Sequence, residues 1–387
     1  MSQINNYLLN NLLLLLIKVL FFILDQFVPP KKNLIGFGSN SGKLIAGNIK
    51  TLFEYFISRS EYECYFLVFK RKPYNNLSKI YGEKIVYFFS LKGVIKLLRT
   101  NWFFSSHGPS DFLHLPIEYT TKVFLTWHGK PYKIDGLVRP NLTPKQKRAF
   151  RRYSRITAMT TSSPLCKYYF SAAMSIDFNK ILPFGYPRDE RVIMKLDQPN
   201  QNKRINNLTT NILYAPTYRD VGELIWFPFP DRDLQKLNKW LSSNHAMIHL
   251  RSHINNSFQE ELEQYSHINT FNFDQYSDIY DYLASFDILI TDYSSIYPDF
   301  LILDRPCIFL DYDYEEFIEY RGVFLPREII SVGDHPISQF ELINSLNKAI
   351  SNPEHASKRR KQVSLLFNEW SNNKSSELIF NYINQDK

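Results

Sequence analysis

From Asn33 onward, short apolar runs rich in β-branched and aromatic residues alternate with segments whose apolar positions recur at helical spacing. The runs read LIGFG, YECYFLVF, KIVYFF, WFFSS, KVFLTW and AMTTSS, with segments such as GNIKTLFEYFISR and LKGVIKLLR between them. Such alternation predicts parallel βαβ units. A second series, NILYAP, AMIHLR, NTFNF, DILIT and CIFL, follows DQPNQNKRINNLTTN, a polar stretch with the composition of a linker. At 387 residues the chain exceeds one comfortable core, so an α/β fold of two Rossmann-like domains facing a central cleft is expected. The expected division is an N-terminal apolar helix in 1–30, a first domain in 31–196, a linker in 197–211, a second domain in 212–354, and a C-terminal helix in 355–387 crossing back to the first domain.

Sites in open parallel sheets lie beyond the carboxyl ends of the strands. In the first series those exits read Gly38 to Gly42, Ser105 to Gly108, Trp127 to Gly129 and Thr160 to Ser163. In the second they bring Thr217, Arg219 and Asp220; Arg251 and His253; Asp292, Ser294 and Ser295; and Asp311 and Asp313. DILITDYSS reads as a strand feeding a turn where a helix begins, and Ser294 and Ser295 there suit a phosphate through hydroxyls and unpaired backbone N–H groups. Asp and Ser also cap helices in any protein, so this segment alone does not decide.

TWHGKPYK puts His128 at a strand exit beside Gly129 and two lysines. Imidazole is the side chain suited to accept a proton near neutral pH, and Lys130 and Lys133 would favour its neutral form; the alternative is a structural turn histidine. In LRSH, Arg251 and His253 suit phosphate oxygens and charge developing on a leaving phosphate, with a surface salt-bridge pair as the alternative. Thr217 and Arg219 of YAPTYRD are candidate diphosphate contacts, although Arg219 has Asp220 as a ready partner. Arg188 in GYPRDE is a turn residue that serves structure or ligand equally well. No Walker A, GxSxG or HExxH motif occurs, and the lone Asp311–Asp313 pair is a slender basis for a metal, so none is assigned.

Composition narrows the class. A hydrophobic content of 44% with 31 Phe and 25 Tyr excludes a disordered chain, and 22% charged residues exclude a polytopic membrane protein. Cys64, Cys166 and Cys307 are far apart and sit in apolar surroundings, as reduced core residues do. The net charge of +8 is uneven: Lys122 to Arg155 holds ten Lys or Arg and the single acid Asp135. That segment suits an anionic membrane surface or a phosphate-bearing substrate, with a merely solvated face as the alternative, and the lack of recognition motifs disfavours nucleic acid. The leucine-rich stretch from Tyr7 to Phe27 is interrupted by Lys18 and has no small-residue cleavage site, so it is not a signal peptide. Its apolar span, Leu12 to Leu24, is short for crossing a bilayer, and a helix lying on the interface or docked on the protein is expected.

Taken in order, TWHGKPYK, FGYPRDE, LYAPTYRD, LRSH, DILITDYSSIYPDF and RPCIFLDYDYEEFIEYRG resemble the CDP-glycerol glycerophosphotransferase family of teichoic-acid and capsule polymerases, over about Lys32 to Gly322. The resemblance implies a GT-B-like fold, a CDP-glycerol or CDP-ribitol donor held mainly by the second domain, and a lipid-linked or polymer acceptor held by the first. An acceptor hydroxyl would attack the donor β-phosphorus and expel CMP at the cytoplasmic face of the membrane. The resemblance implies His128 as general base and His253 at the donor phosphates, with Thr217, Arg219, Arg251, Asp292, Ser294 and Ser295 as donor contacts and Asp299 at a donor hydroxyl. Lys130, Lys133, Lys145, Arg148, Arg151 and Arg152 would meet the acceptor or anionic headgroups. Lys130 and Pro298 depart from the family's usual residues. The fold alone leaves open a nucleotide-sugar glycosyltransferase or a non-catalytic, membrane-bound assembly subunit.

Overall fold

Each apolar run picked out above contains or overlaps a parallel strand, as expected where both faces of a sheet are covered. The computed structural model describes residues 2–197, 209–217, 225–251, 262, 264–271 and 278–385. One sheet runs β3-β2-β1-β4-β5-β6-β7, from β1 (Lys31–Gly38), β2 (Glu63–Val68), β3 (Ile85–Tyr87), β4 (Thr100–Ser105), β5 (Lys122–Leu125), β6 (Ala158–Thr160) and the two-residue β7 (Ile181–Leu182). The other runs β10-β9-β8-β11-β12, from β8 (Thr210–Tyr214), β9 (Ala246–Leu250), β10 (Ile268–Thr270), β11 (Ile288–Thr291) and β12 (Cys307–Phe309). The first half carries α1 (Ser2–Phe27), α2 (Gly47–Ile57), α3 (Arg71–Tyr81), α4 (Leu91–Leu98), α5 (Pro144–Arg151), α6 (Pro164–Met174) and α7 (Pro187–Asp197). The second carries α8 (Leu234–Ser243), α9 (Ile296–Phe300), α10 (Tyr314–Tyr320), α11 (Arg327–Ile330) and α12 (Gln339–Ser351), followed by α13 (Ser357–Asn368) and α14 (Ser375–Asn384).

In each sheet the first strand pairs with the fourth, β1 with β4 and β8 with β11, so the winding reverses there and a crevice opens at the carboxyl ends. Side chains along β1 alternate between two layers. Ile35 and Phe37 pack with Leu52, Phe53 and Phe56 of α2 and with Ile379 and Phe380 of α14, while Leu34 joins Tyr65, Leu67 and Phe103 on the opposite face. Between them Gly36 has no room for a side chain, because a Cβ would stand 2.7 Å from the Phe103 ring and 2.8 Å from the Tyr65 hydroxyl. Cys64, Cys166 and Cys307 are free and buried.

Helix α1 is docked along one side. Phe21 and Asp25 point inward, and Thr120 donates to the Asp25 carboxylate at 2.6 Å. Leu16, Leu20, Ile23 and Phe27 remain exposed as a stripe. Among the described residues no helix is long and apolar enough to cross a membrane. The tail forms two helices, and α14 lies on the first half, with Phe380 5.3 Å from Phe56 and the Tyr62 hydroxyl donating to Asn384 at 2.5 Å. The halves meet along α2 and α7: Asp278 accepts from the Gly47 N–H at 2.9 Å, and Asp281 pairs with Lys50 at 2.5 Å and Arg191 at 2.6 Å.

Candidate active site

β5 stops at Leu125 and the chain turns sharply, with Trp127 in the left-handed region at φ +52°. That turn sets the exposed His128 over the crevice between the halves. The ring stacks flat on His107 from the β4 exit, centroids 4.2 Å apart and planes within 1°. Nδ1 of His128 lies 3.2 Å from the Ser106 carbonyl oxygen. A carbonyl only accepts, so Nδ1 carries the proton and Nε2 is the basic nitrogen. The cleft walls partly enclose the imidazole and lower its pKa below the ordinary value, and His107 lowers it further. The neutral form therefore owes more to desolvation than to Lys130 and Lys133, which the sequence had credited.

His107 and its support were not singled out in the sequence. The His107 Nδ1 accepts from the Asn40 N–H at 3.3 Å and lies 2.7 Å from the Ser106 hydroxyl. Beneath, the fully buried Asp111 accepts from the N–H groups of Ser41 (2.9 Å), Ser106 (3.0 Å) and His107 (2.7 Å) and from the Ser105 hydroxyl (2.8 Å). One carboxylate thus organises two strand exits. The signal was present in SSHGPSD, where a histidine and an acid follow strand β4.

The cleft has a volume of about 540 Å³, and Thr217, Arg251, Ser294 and Ser295 line it together with His128 and Lys133. Ser295 stands against the histidine turn: a Cβ on Gly129 would be 3.2 Å from its Oγ, so the glycine keeps that approach open. Thr217 Oγ1 is buried and, among the described residues, has no hydrogen-bond partner. The Thr217 N–H donates to the buried Asp292 at 2.7 Å, so this carboxylate anchors the turn. The helix expected after DYSS is the five-residue α9, and Ser295 has helical backbone angles and makes no side-chain cap. So short a helix has little dipole to offer, and what Ser294 and Ser295 present at the cleft is their hydroxyl groups. Burial lowers the pKa of Arg251 to about 10, still a cation at neutral pH. His253 and Arg219 lie outside the described residues.

Two expected ligand groups, Lys130 at the cleft wall and Asp299 behind it, have their charged ends engaged within the protein. Lys130 and Asp299 have fully enclosed side chains and pair with each other at 2.8 Å; Lys130 also meets Asp189 at 3.0 Å, and Asp299 meets Arg188 at 2.8 Å. A carboxylate with this many donors, including the Tyr280 hydroxyl at 2.6 Å, has no lone pair turned to a donor hydroxyl. Of the basic set, Arg152 is engaged by Glu118 at 2.7 Å and by the His114 carbonyl at 2.9 Å. Lys145, Arg148 and Arg151 stand exposed on α5. Arg148, Arg151 and Arg155 face Lys18, Val19 and Phe22 of α1 across a groove of about 590 Å³. Among the described residues no three His, Cys, Asp or Glu side chains converge as a metal site.

A family model described as CDP-Glycerol:Poly(glycerophosphate) glycerophosphotransferase matches residues 20–385. A teichoic acid glycerol-phosphate transferase from Staphylococcus aureus is 29% identical over 348 residues, covering 82% of this chain and 84% of its own. A teichoic acid poly(glycerol phosphate) polymerase from Bacillus subtilis is 28% identical, covering 86% of this chain and 46% of its own. A solved structure of the wall teichoic acid polymerase TagF soaked with CDPG superposes with a TM-score of 0.78 at 25% identity, over 95% of this chain and 92% of that one.

Proposed function

Because the chain belongs to the CDP-glycerol:poly(glycerophosphate) glycerophosphotransferase family, we propose that it transfers glycerol phosphate from CDP-glycerol to a hydroxyl of a membrane-linked teichoic-acid or capsular polymer. The observation that carries this reading is His128 Nε2, unprotonated and exposed in a cleft whose other wall presents Ser294, Ser295, Thr217 and Arg251. An acceptor hydroxyl beside Nε2 gives its proton to the imidazole as its oxygen bonds to the donor β-phosphorus. The bond from that phosphorus to the bridging oxygen breaks, and CMP leaves with the electron pair. Phosphoryl transfer of this kind needs position and fixed charge rather than a covalent nucleophile.

The lowered pKa of His128 fits this scheme. Donor phosphates beside the ring stabilise its protonated form and raise the pKa toward neutrality, so the base gains strength when there is a donor to attack. In this reading the first half, within 31–196, holds the acceptor and the second, within 212–354, holds the donor, in a GT-B arrangement. The enzyme sits peripherally at the cytoplasmic face, with the exposed stripe of α1 on the membrane and Arg148, Arg151 and Arg155 at anionic headgroups.

The test is CMP release from CDP-glycerol and CDP-ribitol, alongside UDP release from UDP-sugars, with a membrane acceptor. CMP is expected, and His128→Ala is expected to lower its rate by about 10²–10⁴-fold. Preference for the ribitol donor would change the alditol alone. UDP without CMP would point to a nucleotide-sugar transferase, and no turnover with any donor to a non-catalytic subunit.

A further inference from the structure

The ion cluster beneath His128 takes no direct part in the chemistry just described, because its side chains are enclosed and paired with one another. Asp299 lies just past Ser294 and Ser295 on the donor side, yet two of its partners border the base. Lys130 is two residues from His128, and Arg188 donates through Nη2 to Asp299 at 2.9 Å and through Nη1 to the His128 carbonyl oxygen at 2.7 Å. A guanidinium is a rigid planar fork, so fixing one tine on Asp299 fixes where the other finds the His128 carbonyl. The two preceding carbonyls, of Thr126 and Trp127, are both held by the Asn48 amide at 3.0 Å, and the Asn48 side-chain oxygen accepts from the Arg188 N–H at 3.2 Å. This grip holds Trp127 in a left-handed conformation that a residue with a bulky side chain keeps only when its surroundings impose it.

We infer that Asp299 and Arg188 are positioning residues that tie the base-bearing turn of one half to the donor-side turn of the other, setting the His128 ring at one fixed separation from Ser294 and Ser295. Buried ion clusters add little net stability over apolar packing, and geometric definition is what such a cluster supplies here. The inference rests on the transferase reading for its consequence but not for its geometry.

The test uses the full chain with Asp299→Asn and Arg188→Lys, which keep size or charge but cannot hold both ends of the bridge. For CMP release from CDP-glycerol, kcat per folded molecule should fall about ten- to a hundredfold while the donor KM stays within about twofold. A raised donor KM with kcat intact would make Asp299 a donor contact and overturn the inference. Lower thermal stability with unchanged kcat per folded molecule would make the cluster packing alone and overturn it equally. Asn48→Ala leaves every charge paired and loosens the same turn, so it should give the same loss confined to kcat even where the charged variants fold poorly. A second readout needs no activity: the His128 imidazole proton resonance, identified by its disappearance in His128→Gln. It should move in both charged variants, and an unmoved resonance overturns the inference. A moved resonance in a protein that releases no CMP would uphold the positioning role while defeating the transferase reading.

Discussion

Holding Trp127 at φ +52° costs on the order of 1–3 kcal/mol, and the return is a histidine aimed across a cleft rather than along its strand. His107 completes that arrangement from the side, as a flat partner whose own Nδ1 is occupied by Asn40 and Ser106. Desolvation is the larger cause of the lowered His128 pKa and proximity to His107 the next. Removing the His107 ring admits water and takes away the neighbour, so both changes raise the pKa. A base works only when unprotonated, so the acid limb of the rate profile should move to higher pH in His107→Ala, with kcat down about tenfold at its optimum. Rate against pH for wild type and variant checks this. A limb that stays in place would reduce His107 to a packing residue.

Helix α1 and the α5 surface show where a sequence pattern stops and placement by the fold begins. Lys18 and Asp25 suggested that α1 would not cross a bilayer; in the structure Asp25 is buried against Thr120 and Lys18 faces the α5 arginines. The stripe of Leu16, Leu20, Ile23 and Phe27 follows helical spacing and was legible. That Arg152, one of the four arginines lining the groove, would be held by Glu118 was not, because it depends on a contact made 34 residues away. Leu16→Asp with Leu20→Asp should abolish cosedimentation with anionic vesicles while leaving CMP release from a short soluble acceptor intact, since neither side chain enters the core. Arg151→Glu with Arg155→Glu should weaken anionic-vesicle binding by about 1 kcal/mol per removed cation, less at high salt. Unchanged partition in both pairs would remove α1 and α5 from the membrane contact.

Among the described residues every strand except the two-residue β7 was readable, because a buried parallel strand writes itself as a continuous apolar run, and the cleft was readable because the strand exits carry polar residues. The ties between the halves were not. Arg188 and Asp299 are 111 residues apart, Lys130 and Asp189 are 59 apart, and nothing local marks either pair, so Asp299 read as a ligand group and Lys130 as an acceptor contact. The same holds for Glu190 on α7, which receives the N–H and hydroxyl of Ser376 at the start of α14, 186 residues on, and so clasps the returning tail to the first half. Burial raises the Glu190 pKa from 4.5 to about 7, against the opposing pull of the Ser376 donors. An acid with a raised folded pKa binds its proton more tightly in the fold than in the unfolded chain. Its contribution is therefore fully present below about pH 4.5, declines as pH rises through about 7, and is bounded at about 3 kcal/mol by the size of the shift. Glu190→Gln keeps an oxygen for Ser376 and removes the titration. The variant should match wild type near pH 4.5 and unfold about 2–4 °C above it at pH 8, as followed by thermal unfolding across that range. Parallel curves for the two proteins would mean that Glu190 is ionised throughout and that the clasp is a carboxylate held by Ser376, with no proton of its own.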